Sequence, residues 1–414
     1  MKRRKFIENT SAFIACPILA KASEQWNNDL NLLSGEEYWQ NVADEFLIND
    51  TRNKVLNFNS GSSGTITKTS YAQLCELIKS YNQTSFYEAD IAFNEKRKTI
   101  KNEIAELLNT SQNEIALVRN TTEAINFILQ GYPFNKNDEV IIADHDYPYV
   151  LNTLEKLKEQ KGISIKKLSF DLNKQSNEKI INQYKKSLSN NTKLLIVSHI
   201  SFHEGRILPI KDIVENAHFN NTEVLIDGAH SFAHIDFSLK NINYDYYASS
   251  LHKWLCAPHG NGVLAINQNH INKIAPINNA YPNVFNTMQK FEQLGTHAFY
   301  NQIGIYAALQ FHKKIGIEKK QKRLSELSNY LGEKISKING VQFLSNLKDK
   351  NYCAISTIRI DGDNKMFNQK LQSNYNIITK SVQLIDGPAI RISTNLFLTK
   401  KDIDVLCDTI KSLV

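Results

Sequence analysis

Two chemically reactive side chains follow short apolar segments in the middle of the chain. Asp227 comes directly after Val224-Leu225-Ile226, and Lys253 follows Tyr246-Tyr247-Ala248 by a few residues. A lysine amine can form a Schiff base with the aldehyde of pyridoxal 5'-phosphate (PLP), and a carboxylate can keep the pyridine nitrogen protonated, so that the ring accepts electrons from a substrate Cα. The pair therefore indicates PLP chemistry, whereas a lone lysine is usually a solvated charge and a lone aspartate is often a helix cap.

Length and composition are those of an ordinary globular enzyme. The chain has 414 residues, enough for more than one domain, with 42% hydrophobic and 22% charged residues. No apolar run is long enough to span a bilayer. The formal net charge is +7, but five basic residues and one acid lie in the first 22 positions, and no basic stripe is interleaved with aromatic residues. The sequence therefore favours neither a membrane-embedded nor a nucleic-acid-binding protein.

The N-terminus has the three parts of an export signal in the right order. Paired arginines lie in Met1–Ile7, an apolar stretch runs from Ala12 to Leu19, and Ala20-Lys21-Ala22 has the small-x-small pattern of a signal-peptidase site. This order predicts a twin-arginine signal peptide and a mature protein that is periplasmic or otherwise exported. The alternatives are a basic N-terminal arm on a cytoplasmic protein and lipoprotein processing at Cys16.

The other cysteines form no recognisable framework. Cys75, Cys256, Cys353 and Cys407 are scattered, with neither a CxxC pair nor a metal-ligand spacing. We interpret them as mostly buried thiols, and the sequence predicts no metal site.

The middle of the chain alternates apolar runs with helical patterns. We interpret the runs as strands at Glu139–Ala143, Leu194–Val197, Val224–Ile226, Tyr246–Ala248 and Gly262–Ile266. Such alternation predicts an α/β fold whose large domain has a mostly parallel sheet. Sites in these sheets lie beyond the carboxyl ends of the strands, so Asp144, His199 and Asp227 are expected at one crevice.

A smaller α+β domain is predicted from the C-terminal part of the chain. Its elements are helices at Ala298–Lys314 and Ile317–Ile338, strands at Ile355–Ile360 and Ala389–Ser393, and a closing helix from Asp402 to Leu413. An N-terminal helix around Glu36–Phe46 is expected to join this domain. The predicted division is a signal peptide at 1–22, an N-terminal helical segment at 23–55, a PLP-binding large domain at 56–297 and the small domain with its linking helix at 298–414.

A phosphate-binding site is expected where Asn120 precedes the helical run Ala124–Leu129. Asn120 and Glu123 have the spacing of a capping box, and the free N–H groups at a helix N-terminus bind phosphate. An ordinary helix cap is the alternative. Gly61-Ser62-Ser63-Gly64 lacks the following lysine and the preceding strand of a phosphate loop, so we interpret it as a turn at the mouth of the cleft.

Together these segments resemble the PLP-dependent aminotransferase class V superfamily (fold type I), and in particular its isopenicillin N epimerase-like and cysteine desulfurase-like branch. The resemblance covers nearly the whole mature chain, and its specificity comes from the order and spacing of the motifs. The motifs are Glu37-Tyr38-Trp39, Leu56-Asn57, Asn120–Ala124, Ser198-His199 with Gly205 and Leu208-Pro209, Asp227–Ser231, Ser250–Trp254, Gly295-Thr296 and Ile390–Ser393.

The resemblance implies a role for each matched residue at the ring of the cofactor. Lys253 is similar to the family's Schiff-base lysine, which also moves the proton at Cα, and Asp227 to the partner of the pyridine nitrogen. His230 occupies the position that hydrogen-bonds the phenolic oxygen. Tyr147 matches the aromatic residue that stacks on the ring, with ordinary core packing as the alternative.

The resemblance also implies residues for the phosphate, the substrate and the partner subunit. Thr296 matches a residue that reaches the phosphate of the neighbouring subunit, which implies a homodimer. Arg391 is similar to the arginine that binds the substrate α-carboxylate, with a structural ion pair as the alternative. The other expected contacts are Thr121, Thr122, Ser250 and His252 at the phosphate, Asn57 at the substrate, and His199, which lines the site unless it is a core histidine.

The departures from the family pattern bear on the reaction. Desulfurases need a nucleophilic cysteine on a mobile loop, and neither Cys256 nor Cys353 resembles that motif. Ser201-Phe202-His203 also stands where many relatives carry asparagine. We therefore expect an enzyme that acts at the Cα of an amino acid, as an aminotransferase or epimerase. The alternatives are a cysteine or selenocysteine desulfurase-type lyase and a catalytically silent PLP-fold binding protein.

Overall fold

A computed structural model describes residues 33–50, 55–278, 280–346 and 350–414. The predicted signal peptide and Cys16 lie outside the described residues. Within the described part, no helix is both long enough and apolar enough to cross a membrane.

The strands of the described residues form three sheets. Their bounds are β1 Leu56–Asn57, β2 Ile115–Val118, β3 Glu139–Ala143, β4 Ser164–Leu168, β5 Thr192–Ser198, β6 Glu223–Asp227, β7 Tyr246–Ser250, β8 Gly262–Ile266, β9 Val341–Phe343, β10 Ile355–Ile360, β11 Ile377–Ile378, β12 Lys380–Leu384 and β13 Gly387–Ser393. The largest sheet has the order β2-β8-β7-β6-β5-β3-β4, and in it β8 alone runs antiparallel to its neighbours. The prediction of a mostly parallel sheet is therefore confirmed.

Helices cover the sheets. Their bounds are α1 Gly35–Asp44, α2 Lys68–Gln83, α3 Phe86–Leu108, α4 Thr121–Gly131, α5 Pro148–Lys161, α6 Asn177–Ser187, α7 Ile210–Phe219, α8 Leu239–Ile242, α9 Phe299–Ile303, α10 Ile305–Ile315, α11 Ile317–Ile335, α12 Asn364–Tyr375 and α13 Lys400–Leu413. The predicted helix Ala298–Lys314 is interrupted at Gly304, where a Cβ atom would lie 2.7 Å from Cγ of Pro258.

Both faces of the seven-stranded sheet are buried. In β6, Val224 and Ile226 pack with α7 and α8 on one face, while Leu225 packs with α4 and α5 on the other. Successive side chains of a strand point to opposite faces, so strands buried on both faces have continuous apolar sequences. This arrangement places the carboxyl ends of the parallel strands at one edge of a three-layer unit.

A second core joins the N-terminal helix to the C-terminal sheet. The four-stranded sheet has the order β12-β13-β10-β9, and its apolar face packs with α1, α11 and α13. Glu36 of α1 accepts two hydrogen bonds from the guanidinium of Arg323 on α11, at 2.7 and 2.9 Å. The short strand β1 pairs with β11, so the segment after α1 also belongs to this smaller unit.

Candidate active site

A cavity of about 730 Å³ lies at the carboxyl ends of β5, β6 and β7. Asp227 ends β6, and its register partners are Ser198 at the end of β5 and Ala248 on β7. The smaller unit closes the opposite side with β12 and with Arg391 of β13. The crevice is therefore the one expected for an open α/β sheet, and it lies between the two units.

Lys253 and Asp227 line this cavity together. The pKa of each side chain departs from its ordinary value. Burial lowers the pKa of Lys253 to about 8, against the opposing effect of the Asp227 charge. Burial raises the pKa of Asp227 to about 6, although Oδ1 accepts a hydrogen bond from the Ala229 N–H at 2.9 Å. The lysine can thus lose its proton near neutral pH, which a nucleophile or general base requires.

His230 also lines the cavity, and a tryptophan fixes its proton. The indole Nε1 of Trp254 donates to Nδ1 of His230 at 3.2 Å. Because an indole N–H can only donate, Nδ1 of His230 is the acceptor and the ring proton lies on Nε2. Burial holds the pKa of His230 well below its usual range, so the ring is neutral. Nε2–H is therefore available as a donor.

A second histidine supports that tryptophan. The rings of His234 and Trp254 stack with centroids 3.5 Å apart. The Ala354 N–H donates to Nε2 of His234 at 3.1 Å, so Nδ1–H of His234 donates to the carbonyl of His230 at 2.8 Å. Since Ala354 immediately precedes β10, this contact links the smaller unit to the ring that faces the cavity.

The N-terminus of α4 supplies the donors expected for a phosphate. Thr121 Oγ1 lies 2.7 Å from Ser250 Oγ, which also accepts the Thr121 N–H at 3.0 Å. Thr121, Thr122, Ser250 and His252 all line the cavity. Asn120 caps the helix by accepting the Glu123 N–H at 2.9 Å. Hydroxyls, N–H groups and the helix dipole here match an anionic group.

The predicted capping box is incomplete. Glu123 accepts from the backbone N–H of Arg119 at 2.6 Å and from its Nε at 2.8 Å, and does not bond back to Asn120. The approach of this helix also needs Gly262 on β8, since a Cβ atom there would lie 2.7 Å from Cα of Asn120. The helix is therefore positioned by backbone contact with β8 as well as by its cap.

His252 is held neutral at this end of the cavity. Burial and the neighbouring charge of Lys253 together lower its pKa to about 4. Its Nδ1 lies 3.2 Å from the carbonyl oxygen of Asn261. A bound phosphate would favour the protonated ring, because an opposite charge at contact distance raises a histidine pKa.

Arg391 is buried without an acidic partner. Its Nη1 donates to the Phe202 carbonyl at 3.0 Å, and Nη2 donates to Asn59 Oδ1 at 2.9 Å and to Ser62 Oγ at 3.0 Å. Among the described residues, Nε has no hydrogen-bond partner and no carboxylate lies within 4.0 Å of the guanidinium. Burial lowers its pKa to about 10, so it remains charged. These contacts do not support a structural ion pair and favour an anionic ligand.

The cofactor role predicted for His199 is not borne out by its position. Its neighbours Ser198 and Ile200 line the cavity, whereas His199 packs edge-on against Phe237 with ring centroids 4.9 Å apart. Burial lowers its pKa to about 4. Because neighbouring strand residues point to opposite sides, the position that faces the cavity is Ser198, and His199 is the core histidine that the alternative described.

The substrate contact predicted for Asn57 is also corrected. Asn57 Oδ1 accepts the backbone N–H of Asn59 at 2.9 Å, and Asn57 does not line the cavity. The residue that contacts Arg391 is Asn59, two positions later. The Gly61–Gly64 segment is a turn at the cavity, as predicted, and it lies against the arginine.

Two other predicted residues lie at the rim. Tyr147 lines the cavity, is 37% exposed and packs edge-on against Phe202 with centroids 5.8 Å apart, so it is not a core residue. Thr296 is exposed and lies outside the cavity lining of the single chain. Its contact with a neighbouring subunit therefore stays a prediction.

Several lining residues were not found from the sequence. They are Tyr149, Phe202, His203, Lys380 and Gln383. Asn59, which contacts Arg391 from behind the lining, was also missed. Phe202 and His203 belong to the segment that departs from the family pattern, which was the available signal. Lys380 and Gln383 reach the cavity through the pairing of β12 with β13, which no local pattern reveals.

No cysteine among the described residues lines the cavity. Cys256 is buried with Sγ 3.5 Å from the Lys253 carbonyl oxygen, and burial raises its pKa. Cys353 is buried in the core of the smaller unit, where burial raises its pKa to about 12. Neither is the exposed, readily ionised thiol that a sulfur-accepting nucleophile requires.

Comparison with known proteins agrees with this site. Residues 55–406 match the model of the family described as Aminotransferase class-V. The chain belongs to this family. Its cofactor is pyridoxal phosphate, and the lysine, the carboxylate, the Nε2–H donor and the helix N-terminus of this cavity fit that group.

The relatives of this family member differ in activity. The chain is 27% identical to a probable cysteine desulfurase of Halalkalibacterium halodurans over 321 residues, 72% of this chain and 77% of the relative. It is 22% identical to isopenicillin N epimerase of Streptomyces clavuligerus over 397 residues, 91% and 98% of the two chains. A solved complex of the cystine C–S lyase C-DES with cysteine persulfide superposes with a TM-score of 0.80 at 21% identity, covering 88% and 99%.

Proposed function

We propose that the protein is a PLP-dependent enzyme that acts at the Cα of an amino-acid substrate, by aminotransferase- or epimerase-like chemistry. The observation that carries this proposal is the buried guanidinium of Arg391, which has no carboxylate partner among the described residues and lines the same cavity as Lys253 and Asp227. A cation of this kind suits an α-carboxylate, and the cavity then holds both the carboxylate anchor and a base for the neighbouring Cα–H.

Each residue has a distinct task in this proposal. Lys253 anchors the cofactor and afterwards takes the α-proton, because its lowered pKa leaves a useful fraction of neutral amine near pH 8. Asp227 stabilises positive charge on the pyridine nitrogen, and Nε2–H of His230 donates to the phenolic oxygen. Arg391 fixes the substrate so that one Cα bond points in a defined direction. The bound cofactor supplies the electron-accepting ring.

The position to which the proton returns decides the product. Return to the carbon of the cofactor would give amino transfer. Return to the opposite face of Cα would give epimerisation, which needs a proton donor on that face. The relative named isopenicillin N epimerase, which spans most of this chain, supports the second outcome.

A β-elimination lyase is a second candidate. The relative named as a probable cysteine desulfurase supports it, and the absence of cysteine from the described cavity lining supports a reaction in which the leaving group departs without a protein thiol. The same proton abstraction by Lys253 would precede loss of a substituent from Cβ.

The test is the visible absorbance of the purified protein, before and after addition of a panel of L- and D-amino acids. We expect a band from bound PLP that is lost in Lys253→Ala. Conversion to the amine form of the cofactor indicates amino transfer, exchange of the α-hydrogen with inversion indicates epimerisation, and release of a keto acid with ammonia indicates elimination. The protein is instead a catalytically silent binding protein if it binds PLP, its spectrum changes with no amino acid, and the Lys253→Ala variant keeps the cellular role.

We also propose a homodimer and export by the twin-arginine route. Thr296, exposed on the single chain, is the residue expected to reach a neighbouring subunit. Sedimentation of the wild type and of Thr296→Ala, with PLP affinity as the second readout, tests the first proposal. N-terminal sequencing of the protein from fractionated cells tests the second, and a cytoplasmic protein that retains Met1 or Lys2 would contradict it.

A further inference from the structure

Two cations lie side by side on the substrate side of the cavity. Strands β12 and β13 pair antiparallel, and Lys380 and Arg391 are direct partners in that register. Directly opposite residues of antiparallel strands point to the same face, with Cβ atoms about 5 Å apart. Both residues line the cavity, so both side chains serve the same space.

This pair has no counter-charge in the described part of the chain. No acidic side chain there lies within 4.0 Å of either cation. Asp144 lines the cavity, but its carboxylate accepts from Ser169 Oγ at 2.5 Å, and Asp227 faces Lys253. Like charges directly opposite each other destabilise a strand pair. An anion bound between Lys380 and Arg391 would therefore relieve the repulsion that the two cations exert on each other in the free protein.

The surroundings leave the cations available. Burial and the Arg391 charge lower the pKa of His203 to about 3, so this lining residue is neutral. The other residues of β12 at the cavity are the uncharged Ser381, Val382 and Gln383. Lys380 is exposed at the rim, while Arg391 is 3% exposed deeper in the cavity. The two cations therefore lie at different depths along one path into the site.

We propose that Lys380 binds a second anionic group on the substrate, so that the enzyme acts on amino acids with an acidic side chain. This inference rests on the proposed function: Arg391 takes the α-carboxylate, and Lys380 takes the carboxylate, sulfinate or sulfonate of the side chain. A point charge on a flexible stem suits a side-chain anion of variable length, whereas the rigid guanidinium fixes the reacting end. Lys380 is thus a specificity-determining residue.

Paired substrates test this assignment in the PLP-loaded enzyme. Glutamate and glutamine, and aspartate and asparagine, differ in side-chain charge at nearly equal shape. We expect the wild type to prefer the acidic member, and Lys380→Met to lower kcat/KM for it about 10-fold through KM, with the amides unchanged. Lys380→Glu should reverse the preference. Lys411→Met is the matched control, because Lys411 is an exposed lysine on α13 that does not line the cavity.

Equal losses for acidic and neutral substrates in Lys380→Met would overturn the proposal, because they would mean that both cations bind the α-carboxylate. A wild type that prefers the amides would also overturn it.

Binding without turnover separates this inference from the proposed function. Titration calorimetry of the PLP-loaded enzyme compares the affinity for glutarate, which has two carboxylates, with the affinity for butyrate, which has one. We expect glutarate to bind more tightly, and Lys380→Met to remove that advantage. If no amino acid is turned over but this advantage is found, the proposed reaction fails and the two-cation site stands. If glutarate and butyrate bind equally in the wild type, the two-cation site fails whatever the reaction.

Discussion

The two ends of the seven-stranded sheet hold buried titratable groups in opposite ways. At the carboxyl ends, burial shifts Lys253 and Asp227 toward their uncharged forms. At the amino ends, Asp245 accepts from His218 at 2.8 Å and lies 3.1 Å from Nε2 of His270. Hydrogen bonds to Asp245 and then to Glu223 raise the pKa of His270 to about 9.

The difference lies in how completely each charge is paired. Burial raises the pKa of Glu223, but bonds from His270, Lys273 and Tyr246 outweigh it and lower that pKa to about 2. The Lys273 Nζ lies 2.5 Å and the Tyr246 hydroxyl 2.7 Å from the carboxylate. A paired group stabilises the fold in its charged form, whereas a group buried with incomplete pairing is poised to exchange a proton or to bind a ligand. The amino ends of the strands thus hold charged groups that stabilise the fold, and the carboxyl ends hold groups that can react. We call these two ends the stabilising edge and the reactive edge.

The largest effect is expected from Lys253→Ala at the reactive edge. Turnover should fall about 1,000-fold or more, because both the anchor and the base are lost, while thermal stability changes little. Steady-state kinetics and a melting curve check this prediction, with the exposed Lys240→Ala as control. Residual turnover close to wild type would assign the proton transfer to another group.

A smaller effect is expected from Arg391→Lys. The charge remains, but the forked donor set is lost, so KM for any amino acid should rise about 100-fold with a lesser change in kcat. The control is Arg359→Lys, whose guanidinium pairs with Asp386 at the surface. If KM is unchanged, Arg391 does not hold the α-carboxylate.

Trp254→Phe should act through His230. The stacked ring is kept, but the indole donor is lost, so the proton of His230 is no longer confined to Nε2. We expect about 5-fold weaker PLP binding, and two tautomers in the ¹⁵N NMR spectrum of the PLP-free protein in place of one. Trp39→Phe on α1 controls for loss of a tryptophan. An unchanged imidazole spectrum would show that the indole does not set the tautomer.

His270→Gln tests the stabilising edge and should leave turnover unchanged. The pKa of His270 is raised from 6.5 to about 9, so its contribution is fully present below pH 6.5 and is lost as the pH rises through 9. Allowing for its partial exposure, the variant should be about 1 kcal/mol less stable at pH 6. Urea unfolding at pH 6 and pH 10 checks this, and an equal deficit at both pH values would contradict it.

The sequence predicted the residues that depend on local pattern. Asp227 and Lys253 each follow an apolar run that is a strand in the structure. Their position at the carboxyl ends of the strands could therefore be predicted from the sequence. Strand β4 was missed because its lysines Lys166 and Lys167 interrupt the apolar run at the edge of the sheet.

The errors concern which side chain of a motif reaches the site. His199 was predicted from its motif, but the alternation of side chains along the strand turns Ser198 to the cavity. Asn57 was also predicted from its motif, but its Oδ1 accepts the Asn59 N–H, and Asn59 is the residue that contacts Arg391. Lys380 reaches the cavity through a register between two strands of the smaller unit, and such long-range pairing leaves no local signature.

The turn from Gly61 to Gly64 touches both chemical anchors of the site. The N–H of Gly64 donates to the His252 carbonyl at 2.8 Å, and a Cβ atom at Gly64 would overlap the Lys253 carbonyl oxygen. At the other end, a Cβ atom at Gly61 would lie 2.9 Å from Cζ of Arg391. The turn therefore lies between the backbone at Lys253 and the guanidinium of Arg391, and a change in its length should alter the distance that a substrate must span between its reacting carbon and its carboxylate.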